Sequence, residues 1–201
     1  MKRFMFLFAA VCLLVLGASM SYAQDQTTAD FDIQVTVGSV PLSITNDADM
    51  VLDDGGAGTL TPGVAVAAVP DGAGAWLTAG AGGSGTGEYQ PNLGGNPAEF
   101  EIAGAPSANV IVSFALPYVL YPQAAGNGVV RVDYNGTSAC WTGGDGTVHY
   151  FNPKLGETIN LNTDPGTTTL MDLGGIFTVD KNAATDIYEG VGIVTVAYAA
   201  N

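Results

Sequence analysis

Between Asp30 and Val37 apolar and polar side chains alternate without a break, with Phe31, Ile33, Val35 and Val37 set against Asp32, Gln34 and Thr36. A period of two puts one set on a buried face and the other in water, which predicts a β-strand. The alternation returns in Ala98, Phe100 and Ile102 against Glu99 and Glu101, and again in Val110, Val112, Phe114 and Leu116 against Asn109 and Ser113. Turn-forming residues separate these runs, and no helical period appears after Ala23. Glycine is dense from Gly55 to Gly95, where long surface loops are expected around short strands near Val64 to Val69 and Ala75 to Thr78. The last strand, Gly190 to Ala199, carries Val191, Ile193, Val194, Val196 and Tyr198, and a chain closing on such a strand is expected to place it centrally in a sheet.

One hairpin is predicted in detail. Asn135-Gly136 between Val129 to Tyr134 and Thr137 to Thr142 reads as a two-residue type I′ turn, in which both central residues need positive φ. Its register would pair Tyr134 with Thr137, Val132 with Ala139 and Val130 with Trp141 on an apolar face. Arg131, Asp133, Ser138 and Cys140 would then share the polar face, with the thiol near solvent.

The chain opens on Lys2 and Arg3, an unbroken apolar run from Phe4 to Leu16, and small residues ending Ser21-Tyr22-Ala23. This is the layout of a secretory signal peptide, and the run is too short for a membrane anchor. Residues 1–23 are therefore expected to be removed on export to the periplasm, the cell surface or the medium, leaving 24–201 as one domain with no membrane span. The cut would remove Cys12 and leave Cys140 without an intramolecular partner. It is then either a quiet buried thiol or one half of an intermolecular disulfide, and the predicted hairpin favours an exposed thiol.

Charge narrows the functions. Five basic residues stand against 19 acidic ones, which excludes nucleic-acid binding by phosphate neutralisation and disfavours an anionic membrane surface. The 28 glycines and 10 prolines oppose long helices, while 47% apolar residues are enough for a packed core. Together these predict an all-β protein, an immunoglobulin-like sandwich of antiparallel strands with Gly-rich loops and no helix beyond the signal peptide.

Catalytic patterns are sparse. Gly80-Ala-Gly-Gly-Ser-Gly85 matches a dinucleotide fingerprint only as a string, since no βα unit surrounds it. His149 is the only histidine, so a Cys–His site would have to join it to Cys140, and one His and one Cys cannot hold zinc. Asp47, Asp49, Asp53 and Asp54 crowd before a Gly-rich turn and are calcium candidates, although their spacing is not that of an EF-hand. The sequence is read as non-enzymatic, with no cofactor apart from that calcium candidate.

Three passages carry a resemblance: Leu42-Ser-Ile-Thr followed by Asp47 to Gly63; Pro97-Ala-Glu-Phe-Glu-Ile-Ala-Gly104; and Leu173-Gly-Gly-Ile-Phe-Thr-Val179 leading into Tyr188 to Tyr198. In that order they resemble a family of exported bacterial β-sandwich proteins of unknown function, and more loosely fimbrial pilins and spore-coat-type subunits. The chain lacks the paired cysteines of those pilins. The sequence is read as a structural or adhesive surface protein whose partners are itself or related subunits, joined by β-strand addition, on the strength of the clean alternation behind the polar tail Gln24 to Asp30. The donor would be Phe31, Ile33, Val35 and Val37, which could instead pair within their own molecule against the strand carrying Val194, Val196 and Tyr198. The alternative is an extracellular module for carbohydrate or calcium-bridged partners.

Overall fold

In the computed structural model, residues 40–53, 60, 62–77, 93–124 and 126–200 are described. Residues 1–23, expected from the sequence to be a signal peptide, the Phe31 to Val37 segment, Asp54 and Gly80 to Gly85 lie outside them. The described chain is all-β, with no helix. Its strands in chain order are β1 (Ser43–Ala48), β2 (Val51–Asp53), β3 (Ala65–Ala68), β4 (Gly94–Asn96), β5 (Ala98–Ala103), β6 (Asn109–Ala115), β7 (Val119–Pro122) and β8 (Val130–Asp133). They continue with β9 (Ala139–Thr142), β10 (Val148–Phe151), β11 (Glu157–Asn160), β12 (Thr169–Leu173), β13 (Gly175–Val179), β14 (Tyr188–Glu189) and β15 (Ile193–Tyr198).

All pairings are antiparallel. One five-stranded sheet has the order β1-β5-β12-β9-β10, a second β14-β7-β8-β13-β3, and a three-stranded sheet runs β11-β6-β15 beside the small pair β2-β4. The alternation in β5 and β6 appears as read from the sequence: Ala98, Ile102, Val110 and Val112 are buried, while Asn109, Ile111 and Ser113 face outward. Their buried faces meet those of β9 to β12, so that Ala139, Phe151, Ile159, Met171 and Leu173 complete a first core between the first sheet and the three-stranded one, a sandwich-like arrangement. A second core gathers Ala68, Trp76, Val130, Val132, Tyr134, Phe177 and Val179 on the other five-stranded sheet. The predicted strand at Ala75 is reduced to a single bridge between Trp76 and Pro70.

The predicted hairpin is corrected. β8 and β9 do not pair with each other; they belong to different sheets, and residues 134–138 carry the chain around the corner between them. Local hydrogen bonds explain why. The Asn135 side-chain oxygen accepts the Thr137 amide at 2.9 Å, and the Asn135 amide donates to Ser138 Oγ at 2.8 Å, closing a side-chain turn in which Gly136 has no positive φ. Tyr134 instead enters the second core and donates its hydroxyl to the Pro117 carbonyl at 2.9 Å.

A second corner lies alongside. β12 passes into β13 through Gly174, whose amide donates to the Ser138 carbonyl at 2.7 Å. Because β12 pairs with β9 and β13 with β8, two chain segments form one ribbon bent through both five-stranded sheets. A Cβ on Gly174 would collide with the Ala68 carbonyl oxygen and lie 2.9 Å from Trp76 Cζ3, so the close approach excludes any side chain. Gly174→Ala is therefore expected to cost about 1–3 kcal/mol in urea unfolding, the usual range for overpacking. Gly136→Ala, whose Cβ meets nothing within 4 Å, should change stability by less than about 0.5 kcal/mol.

Candidate functional site

The most unusual chemistry sits on the first sheet's face opposite its core. Register places Glu99 of β5, Asp172 of β12, Cys140 of β9 and Tyr150 of β10 in one row across four strands. Side chains on such a row share a face, and in an open sheet that face would be wet. Here residues 70–76 fold down over it as a strap. Asp71 starts the strap and shapes it, its Oδ1 accepting the amides of Ala73 at 2.8 Å and Ala75 at 3.1 Å. Trp76 ends it by burying its ring in the second core and donating Nε1–H to the Gly94 carbonyl at 3.3 Å.

The strap is stitched to the row beneath. Tyr150 donates its hydroxyl to the Pro70 carbonyl at 3.1 Å, Thr142 donates to the Gly72 carbonyl at 2.7 Å, and the Gly74 amide donates to Asp172 Oδ2 at 3.1 Å. Gly72 and Gly74 have φ of +83° and +77°, and a Cβ on Gly74 would collide with Glu99 Oε2. Only glycine allows the backbone this close to the sheet.

Asp172 is thereby 1% exposed, and its Oδ1 is buried with no hydrogen-bond partner. Burial pushes its carboxyl up to about 6, against the opposing pull of the Gly74 and Gly72 amides, with Glu99 and Asp71 adding to the rise. The same cover corrects the expected exposure of Cys140. The thiol is fully buried, 4.0 Å from the Pro70 carbonyl, and burial with the nearby Asp172 raises its pKa. A thiol so placed is a poor nucleophile and out of reach of a second molecule while the strap is down.

The other sequence candidates do not assemble into a site. His149 pairs in register with Trp141, on the opposite sheet face from Cys140, and its ring stacks on Trp141 at 4.4 Å between centroids. Asp47 and Asp49 are exposed on or beside β1, where Asp49 Oδ1 accepts the Asn46 side-chain amide at 2.7 Å. Among the described residues no three His, Cys, Asp or Glu side chains stand close enough to share a metal ion. Val194, Val196 and Tyr198 pair with Phe114, Val112 and Val110 of β6. Sequence reading missed the strap because Pro70-Asp71-Gly72 registers only as a turn signal, and nothing local says which surface the turn will cover.

A carboxyl raised in the folded state favours folding below its unfolded pKa and loses that contribution as pH rises through its folded value. For Asp172 that window runs from the ordinary 3.8 to about 6, so the folded chain carries a penalty at neutral pH on the order of 1–3 kcal/mol. Asp172→Asn keeps an acceptor for the Gly74 amide without the charge. Urea titrations should find the variant more stable than the parent at pH 7.5, with the gap closing towards pH 4; parallel pH profiles would show that the buried charge is not responsible.

No family model, no curated protein and no solved structure matches the chain.

Proposed function

We propose that the protein is an exported, non-enzymatic structural or adhesive surface subunit, built on an immunoglobulin-like sandwich, that joins copies of itself or related subunits by β-strand addition. The edge of β15 away from β6 is the observation that carries this. Among the described residues β15 pairs only with β6, and no other described strand lies along its second edge. Edge strands are usually guarded by charge, proline or cover. β1 carries Asp47, β11 carries Glu157, β14 carries Glu189 and β3 is largely buried, while β10 contains no carboxylate, lysine, arginine or proline but its Tyr150 is tied to the 70–76 strap. The six residues Ile193–Tyr198 contain no charge and no proline, and Ile193 is 62% exposed.

The surface beside this edge is equally bare of charge. Thr195 and Ala197 of β15, Ile111, Ser113 and Ala115 of β6, and Thr158 of β11 share the outer face of the sheet with Ile193. In a chain with 19 acidic and 5 basic residues, such a face is where two like-charged copies approach at least electrostatic cost. The alternating Phe31, Ile33, Val35 and Val37 segment supplies the complementary strand, its main chain giving affinity and its side chains register.

Size-exclusion chromatography with light scattering on residues 24–201, beside a version beginning at Gly38, tests this. The longer form should assemble and the shorter remain a folded monomer, and Ile193→Lys in the longer form should reduce assembly. A monomeric long form together with an unfolded short form would instead assign the segment to its own molecule.

A further inference from the structure

The 70–76 strap covers a carboxylate that it only half satisfies. Asp172 Oδ2 receives the Gly74 amide, while Oδ1 is sealed from water and receives nothing. Apart from the Gly74 and Gly72 amides of the strap, each element packed against this group adds negative charge or none. β5 brings Glu99 opposite it in register, β9 brings the Cys140 thiol, and the strap brings Asp71, whose Oδ1 is already held by its own loop's amides. From β10 comes the Tyr150 hydroxyl, which is turned to the Pro70 carbonyl. An ionised carboxylate in this setting gains far more hydration than a protonated one if the cover lifts.

What holds the cover is correspondingly light. Tyr150 and Cys140 reach its base at the Pro70 carbonyl, its tip is held by Thr142 and by the Gly74 amide on Asp172, and the tip runs through two glycines at positive φ. The tip is anchored at its base by the Pro70–Trp76 bridge and the buried Trp76 ring. The tip can therefore part from the sheet without unfolding the cores.

We propose that the 70–76 strap is a proton-operated cover, seated over Asp172 and the Cys140 thiol when Asp172 is protonated and lifting when Asp172 is ionised beside Glu99. Linkage fixes the direction: whatever favours the proton in the covered state favours the covered state at low pH. The burial that raises Asp172 to about 6 places the change in the mildly acidic range. An exported protein moving from acidic to neutral surroundings would thereby uncover its one remaining thiol.

The test is labelling of Cys140 in the purified chain with a disulfide reagent that also reacts in acid, read by mass spectrometry of the Cys140 peptide and normalised at each pH to an unstructured peptide thiol. From pH 5 to pH 8 the normalised rate should rise about ten-fold, the linkage expected for one carboxyl shifted from 3.8 to about 6. Asp172→Asn should abolish the rise. Hydrogen exchange at the Gly74 amide, normalised the same way, should follow labelling in the parent chain. A normalised rate that does not change with pH overturns the proposal, as does a rise that persists in Asp172→Asn. Should that variant not fold, Glu99→Gln replaces it, with a smaller rise expected and an unchanged one overturning.

Discussion

The hydrogen bond from the Gly174 amide to the Ser138 carbonyl joins the two corners at which one ribbon leaves the first five-stranded sheet and enters the second. Through it the register of β12 on β9 continues into that of β13 on β8. Both cores depend on that continuity, since Met171, Leu173 and Ala139 lie before the bend and Phe177, Val179, Val130 and Val132 beyond it. The strap depends on it too. It springs from the end of β3, whose Ala68 carbonyl rests against Gly174, and it closes on Trp76, whose ring touches the same glycine. A side chain at this point would disturb two sheets, two cores and one loop at once.

Charge supplies a second constraint. With five basic residues in the whole chain, few of its 19 acidic groups can find a cation. Two ion pairs occur among the described residues, Arg131 with Asp180 and Lys154 with Asp133, both exposed enough to contribute little. Backbone amides do the work instead. Asp71 receives Ala73 and Ala75, Asp145 receives Thr147, and Asp186 receives Ala124 and Ile187. At the surface, water completes the remaining lone pairs. Asp172 uses the same solution under a cover, where water is excluded, and one oxygen is therefore left over.

Strand periodicity made the β5 and β6 faces legible, because a period of two depends only on which side of a sheet is dry. The hairpin was misread for an equally local reason. Asn-Gly is a strong turn signal, but the side chains of Asn135 and Ser138 compete for the backbone and close a different turn, sending the two flanking strands into separate sheets. Cys140 then followed the wrong parity argument to the wrong environment. The row expected for it, with Arg131 and Asp133, belongs to another sheet; the row it occupies holds Asp172, Glu99 and Tyr150 and is covered from above. That a loop from 70–76 would land there is a long-range fact, set by the Gly174 corner and by Trp76 finding the second core.

The contrast between the two polar faces argues for where the molecule tolerates exposure. The row containing Glu99 and Asp172 is charged and is covered at a cost, whereas the outer face of β6 and β15 is free of charge and left open. Solubility alone would favour the reverse, since carboxylates belong in water and Ile111 and Ile193 do not. Each departure calls for a compensating gain. For the open face the gain proposed above is contact with another strand or another copy, which would remove apolar surface from water without bringing carboxylates together. For the covered row it is a cover whose hold on the sheet varies with a single proton.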